Sequence, residues 1–166
     1  MLSKEMNAEK TIVMIRRAEL NDAAAVAALL LDAFAEYRPL YTEKGFDATT
    51  PAANEIGKRI EQRAVWLAEH DNKIAGTVSI FPRGEELYIR SMAVSQVARG
   101  KGIGKILMEH VNEMAFAHGC SYITLNTTTF LLQAIRLYES FGFKREGIRD
   151  LFGTPLIKMS KHLKVE

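Results

Sequence analysis

A glycine-rich segment in the middle of the chain places the strongest constraint on its fold. Residues Arg99–Gly104 contain three glycines within five positions, between a strand-like stretch over 87–94 and a stretch of helical periodicity from Ile103 to Met114. Glycine lets a backbone turn sharply and approach a ligand closely. The first turn of a helix adds unpaired N–H groups and the positive end of the helix dipole. The segment therefore predicts a strand–loop–helix unit that binds a phosphate or pyrophosphate.

The spacing in this segment excludes the two most familiar phosphate-binding sequences. A P-loop needs G-x-x-x-x-G-K-[ST], but Arg99 stands five residues before Gly104, and Ile106 follows Lys105. A Rossmann fingerprint needs G-x-G-x-x-G, and counted from Gly100 its last position falls on Lys105. A tightly packed turn without a ligand is the remaining alternative, and the neighbouring basic side chains argue against it.

Strand-like and helix-like stretches are mixed along the whole chain. We predict strands at 12–17, 64–68, 74–81, 87–94, 122–125, 143–148 and 156–159. We predict four helices: one at about 22–37, one that begins near Pro51, one that follows the glycine segment and ends at about 118, and one at 130–140. Asn21 or Asp22 is expected to cap the first helix, and residues 38–50 are expected to be irregular. This mixture predicts an α/β (α+β) fold with a mixed sheet.

Length and composition are those of one globular domain. The chain has 166 residues, of which 48% are hydrophobic and 25% charged, and its net charge is +2. This balance gives no support for nucleic-acid or membrane binding. Residues 1–10 are expected to form a flexible tail and residues 11–166 a single domain. We expect a cytoplasmic protein, because no secretory signal is visible and the single cysteine, Cys120, excludes an intrachain disulfide.

Histidine and cysteine positions give no indication of a metal site. His110 and His118 are eight residues apart on one predicted helix, and neither an H-x-x-x-H pattern nor a Cys/His cluster occurs. Cys120 is expected to be a small core residue, as free cysteines usually are. We therefore predict no metal and no covalent nucleophile.

Two segments together resemble the signatures of the GNAT superfamily of N-acetyltransferases. Arg99–Gly104 matches the pattern R/Q-x-x-G-x-G/A, and Ala134–Tyr138 with Gly142-Phe143 resembles A-x-x-L-Y-x-x-x-G-F. The resemblance is specific over about residues 87–145 and only compatible over 12–86. It implies a single-domain GNAT-like fold with a central mixed, largely antiparallel sheet flanked by helices.

The resemblance also implies a reaction and the residues that bind its cofactor. It implies direct transfer of an acetyl group from acetyl-CoA to a primary amine of a small molecule or peptide. The implied cofactor-binding residues are Met92, Ala93, Val94, Arg99, Gly100, Lys101, Gly102, Ile103, Gly104 and Lys105. The backbone N–H of Val94 would polarise the thioester carbonyl. The N–H groups of the loop would hold the pyrophosphate.

Tyr138 is the catalytic residue that the resemblance implies, as the acid that protonates the departing thiolate. A phenol with an ordinary pKa near 10 carries its proton at neutral pH. Glu86 or Glu85 is a weaker candidate for the base, and solvated turn carboxylates are the alternative. Tyr88 and Arg90 share a strand face with Glu86 by simple alternation, so they are candidates for the acceptor site.

Several points stay open at the level of sequence. Many relatives carry Asn where this chain has Leu131, so the contact with the pantetheine arm is either absent or supplied by Asn126 or a nearby threonine. A catalytically idle acyl-CoA sensor and an unrelated nucleotide-binding module are the competing functions. Homodimer formation also stays open, because it is common among similar proteins but no feature of this sequence requires it.

Overall fold

The structure is a computed structural model that describes residues 12–164. The tail expected at 1–10 lies outside these residues. The strands are β1 (Met14–Arg17), β2 (Val65–His70), β3 (Lys73–Arg83), β4 (Glu86–Val94), β5 (Tyr122–Thr128), β6 (Lys144–Leu151) and β7 (Thr154–His162). The α-helices are α1 (Ala23–Phe34), α2 (Glu43–Thr49), α3 (Ala53–Glu61), α4 (Ile103–Ala117) and α5 (Leu132–Ser140).

All seven strands join one sheet in the order β1-β2-β3-β4-β5-β7-β6. Every neighbouring pair is antiparallel except β4 and β5, which are parallel. The parallel ladder joins Glu86–Tyr88 to Tyr122–Thr124, and within the described chain no ladder continues beyond these residues. The mixed, largely antiparallel sheet is confirmed, and it opens between β4 and β5.

Helices cover both faces of the sheet. Leu67 and Ala68 are consecutive in β2, so their side chains point to opposite faces, and they lie in different core clusters. The cluster containing Ala68 packs against α4, and the cluster containing Leu67 packs against α1 and α3. At Gly76 in β3, an added Cβ would lie 3.0 Å from Ile103 and 3.1 Å from Leu107. This close approach places the first turn of α4 directly on the sheet.

The packing of α4 gives a test of the core. Leu107 is fully buried between α4 and the sheet. Leu107→Ala is expected to lower the free energy of unfolding by about 3 kcal/mol, because lost apolar transfer and an unfilled cavity add. Denaturant unfolding followed by circular dichroism measures this change. Phe116→Ala on the same helix is the control, since Phe116 is 61% exposed and we expect a loss under about 1 kcal/mol. A loss of that small size at Leu107 would contradict this packing.

Several local predictions were wrong in detail. The side chain of Asp22 does not cap α1. Its carboxylate accepts hydrogen bonds from Arg16 Nη1 (2.8 Å) and from the backbone N–H of Glu19 (2.7 Å), and the second of these belongs to a capping box at the preceding 3-10 turn. The first helix ends at Phe34, and a 3-10 segment follows over Ala35–Leu40.

The region expected to be irregular contains a short helix. Helix α2 begins after Thr42, whose hydroxyl accepts a hydrogen bond from the N–H of Gly45 at 3.0 Å. Pro51 precedes the next helix instead of lying in its first turn, because α3 begins at Ala53. Within residues 12–164 no helix is both long and apolar enough to cross a membrane.

Candidate active site

A cavity of about 560 Å³ lies where β4 and β5 separate. One wall is the second half of β4, from Tyr88 to Val94, and the opposite wall is Leu125–Thr128 of β5. The glycine loop closes one end, and residues of α5 and of the segment after α1 complete the lining. The parallel strands separate after three paired residues, so the sheet itself provides a cleft that a ligand can enter.

The glycine loop presents backbone donors to this cleft. Gly100 and Gly102 have φ angles of +80° and +76°, which favour glycine, and a Cβ added at either would meet no atom within 4 Å. The first hydrogen bond of α4 runs from the N–H of Ile106 to the carbonyl of Gly102 at 3.1 Å. Within residues 12–164, the N–H groups of Ile103, Gly104 and Lys105 have no backbone acceptor. The loop therefore has the free donors and the open space that a pyrophosphate needs.

The basic residues of the loop differ in their surroundings. The guanidinium of Arg99 binds the carboxylate of Glu36 and donates to the carbonyl of Ala33 at 3.0 Å. This contact ties the loop to the end of α1. Lys101 and Lys105 are both exposed, and of the two only Lys105 belongs to the cavity lining. The other predicted loop residues, Gly100, Gly102, Ile103 and Gly104, also line the cavity.

Strand β4 directs one of its backbone donors into the gap. The N–H of Ser95 bonds to the carbonyl of Ala75 on β3 at 2.8 Å, and Val94 pairs with Gly76. Because N–H groups alternate in direction along an antiparallel strand, the N–H of Val94 points away from β3, toward the open side. Met92, Ala93 and Val94 all line the cavity.

A bulge in β4 bends this donor strand. The register with β3 shifts between Thr77 and Ser79, and Ser91 has a φ of +52°. Arg59 of α3 donates to Oγ of Ser91 at 2.9 Å and to Oγ of Ser79 at 3.4 Å. Sequence reasoning missed Arg59. The available signal was a charged residue beside Ile56 and Ile60 on the apolar face of a helix.

Tyr138 lies at the cavity with its ring buried. Its exposed fraction is 6%, and its ring centroid is 6.0 Å from that of Phe143. Burial raises the pKa of Tyr138 to about 12, so the phenol keeps its proton throughout the neutral range. Within residues 12–164, its hydroxyl makes no protein hydrogen bond that would occupy the proton.

The two glutamates considered as bases lie outside the cavity lining. Oε2 of Glu86 accepts from the hydroxyl of Thr124 at 2.6 Å, and Oε1 of Glu85 accepts from the hydroxyl of Ser121 at 3.2 Å. Among the described residues, the cavity is lined by no Asp, Glu or His. Tyr88 and Arg90 do line it, as their alternation with Glu86 suggested.

Part of the cavity is aromatic and contains buried hydroxyls. Phe34, Tyr37 and Tyr41 line it, and the Tyr41 ring meets that of Phe130 edge-on at 4.9 Å. The hydroxyls of Tyr41 and Thr128 are both buried, and the hydroxyls of Thr128 and Thr49 lie close to that of Tyr41. Burial also raises the pKa of Tyr41, so its hydroxyl is a neutral donor.

Other residues near the cavity differ in whether they line it. Phe46 packs behind Tyr41 with ring centroids 5.6 Å apart, and Phe152 is 63% exposed outside the cavity lining. Leu131, which replaces the asparagine of many relatives, lines the cavity, as do Asn126, Thr127 and Thr128. An aromatic residue near the acceptor region is therefore not by itself a sign of a lining residue.

Comparison with known proteins identifies the family. The model of the Acetyltransferase (GNAT) family matches residues 26–143. The uncharacterized N-acetyltransferase YjgM of Escherichia coli (strain K12) is 34% identical over 137 residues, which are 79% of this chain and 81% of YjgM. Human N-acetylaspartate synthetase is 35% identical over 97 residues, which are 57% of this chain and 32% of that protein.

Solved structures show the same fold. The PaiA N-acetyltransferase from Thermoplasma acidophilum, in complex with coenzyme A, superposes with a TM-score of 0.76 at 16% identity. The superposition covers 92% of this chain and 99% of that one. The chain therefore belongs to the acetyltransferase (GNAT) family, whose enzymes use acetyl-CoA as co-substrate.

Proposed function

We propose that this enzyme transfers the acetyl group of acetyl-CoA directly to the primary amine of a small molecule or peptide in the cleft between β4 and β5. The main observation in support of this proposal is that two sets of free backbone N–H donors face one cavity. They are the loop N–H groups of Ile103, Gly104 and Lys105, and the N–H of Val94 beyond the bulge. The matched relatives are named as N-acetyltransferases or as an N-acetylaspartate synthetase, which supports an amine acceptor.

The residues present fit the cofactor. The loop offers open space at Gly100 and Gly102 and free donors at the start of α4, which suits the pyrophosphate. Met92, Ala93 and Val94 line the adjacent wall, which suits the pantetheine arm. When bound, acetyl-CoA supplies an acetyl thioester.

Two groups of this chain are assigned to the transfer. The N–H of Val94 donates to the thioester carbonyl oxygen and stabilises the negative charge that develops there. Tyr138 gives its proton to the departing thiolate, since its high pKa keeps the proton available at neutral pH. Glu85 and Glu86 bind other side chains outside the cavity, so we assign the proton lost from the amine to solvent.

One observation favours a second candidate, an acyl-CoA sensor without turnover. No Asp, Glu or His within residues 12–164 lines the cavity, so an obvious general base is lacking there. A sensor binds acetyl-CoA but releases no CoA when amines are added.

Calorimetry followed by a CoA-release assay tests the proposal. We expect acetyl-CoA to bind with a micromolar Kd, and ATP and NAD to give no comparable signal. Addition of amine acceptors is then expected to release CoA. Binding without release from any amine would support the sensor, and absence of acetyl-CoA binding would contradict both candidates.

A further inference from the structure

Arg90 is a cavity-lining cation without a partner in the described chain. Its side chain lies on the wall of β4 two residues after Tyr88. Within residues 12–164 it makes no ion pair with a carboxylate and no side-chain hydrogen bond. Arg90 is itself exposed, and an exposed arginine often has no partner. It also lines the cleft that we propose as the acceptor site, so its five N–H donors are available to a ligand bound there.

A second guanidinium lies behind Arg90 and strengthens the positive potential. Arg59 is 4% exposed, its hydrogen bonds go to neutral serine hydroxyls, and its Nε is buried without a partner in the described chain. Burial, and next the charge of Arg90, lower the pKa of Arg59 to about 10. Glu55 attracts it only weakly and lies 4.0 Å from Lys58. Arg59 stays positively charged at neutral pH without an ion pair in residues 12–164.

The charges that line the rest of the cavity do not balance this pair. Arg99 is neutralised by Glu36, and Lys105 lies at the loop end, where the pyrophosphate is expected. Within the described residues the lining contains no carboxylate. A buried, uncompensated positive charge is unfavourable, and an anion bound nearby relieves it. An acceptor that brings only a positive charge would meet repulsion here.

We infer that the acceptor is a primary amine that also carries a carboxylate, as a free amino acid does, and that Arg90 binds this carboxylate. The guanidinium suits a carboxylate because its N–H groups form paired hydrogen bonds with both oxygens. This inference rests on the proposed acetyltransferase function.

The positive charges of Arg59 and Arg90 also explain how the amine can lose its proton without a general base in the cavity lining. A positive environment disfavours the ammonium form and lowers the pKa of a bound amine. The contact between Arg90 and the acceptor's carboxylate keeps the acceptor bound, although its ammonium group is repelled by the positive charges. Neutral amine is then formed by loss of a proton to solvent, without a carboxylate base in the cavity.

Matched acceptor pairs test the inference. Initial rates of CoA release, with product mass confirmed by mass spectrometry, are measured for the common L-amino acids and for the amines that lack the α-carboxylate, such as L-phenylalanine and phenethylamine. We expect kcat/KM to be at least about tenfold higher for the preferred amino acid than for the amine that lacks its carboxylate. A loss of one charge-assisted hydrogen bond accounts for a ratio of this size.

Arg90→Gln is expected to raise KM for that amino acid about tenfold, leave KM for acetyl-CoA unchanged, and erase the preference. Arg90→Lys should restore part of it.

Arg145→Gln is the matched control, because it removes one exposed arginine from β6, outside the cavity lining. It should leave the preference unchanged. Equal or better turnover of the amines without a carboxylate would overturn the inference, as would an unchanged preference in Arg90→Gln. Acetyl-CoA binding with no amino acid acetylated would also overturn it. Absence of acetyl-CoA binding is a different result, because it contradicts the acetyltransferase function itself.

Discussion

Replacement of Gly102 by glutamate is expected to weaken acetyl-CoA binding by about a hundredfold or more. Gly102 has a φ of +76° at the N-cap of α4, lines the cavity, and has open space around an added Cβ next to the free N–H groups of the first turn. A carboxylate in this position occupies the site expected for the pyrophosphate and repels its charge. Two like charges about 4 Å apart near a protein surface repel by about 4 kcal/mol, which accounts for an effect of this size. Calorimetric titration with acetyl-CoA measures it.

Gly84→Glu provides the matched control for this variant. Gly84 also has a positive φ, of +64°, with open space around an added Cβ, but it lies in the turn between β3 and β4, outside the cavity lining. Both substitutions therefore introduce the same charge and a similar backbone cost, about 1–2 kcal/mol for a left-handed residue. Only the Gly102 variant should lose binding. Equal affinities in the two variants would refute the assignment of the loop.

Replacement of Tyr138 by phenylalanine is expected to lower kcat by about a hundredfold at neutral pH. The change removes the hydroxyl that we assign as the proton donor, and positioned acids typically contribute about 10²–10⁴-fold. The buried ring and its contact with Phe143 are retained, so acetyl-CoA affinity should change by less than about twofold. Steady-state kinetics and calorimetry on the same preparation measure the two quantities.

Tyr122→Phe is the control for the loss of a tyrosine hydroxyl. Tyr122 lies on β5 beside His162, outside the cavity lining. Its kcat should match that of the parent. If Tyr138→Phe kept the parental kcat, the general-acid role would be wrong, and the departing thiolate would have to take its proton from solvent. A joint loss of kcat and of acetyl-CoA affinity would instead indicate that the hydroxyl contributes to acetyl-CoA binding.

The loop and the fold class were accessible from sequence because their signals are local. Glycines at Gly100 and Gly102, beside a helix of clear periodicity, specify a strand–loop–helix unit. The second segment, around Tyr138, follows in the expected order, and the two together predicted the family that the comparisons confirm. The short helix α2 was missed because Thr42 as a cap is a weak signal amid polar residues.

The composition of the site depended on contacts between distant parts of the chain. Arg59 meets Ser91 across 32 residues, and Glu86 meets Thr124 across 38. Neither contact follows from spacing along the chain, because strand register and helix placement decide which side chains come together. Those contacts remove Glu86 from the base candidates and place a second cation behind Arg90.

The sequence by itself determined the glycine loop, the main strands and α4, because backbone preference and periodicity act over a few residues. Only the tertiary structure decided where β4 and β5 separate, since their parallel ladder ends after Tyr88. That separation turns the N–H of Val94 toward a cavity instead of a neighbouring strand. It also leaves Arg90 facing the same space, because the wall of a cleft is formed by the pairing of strands that are far apart in sequence.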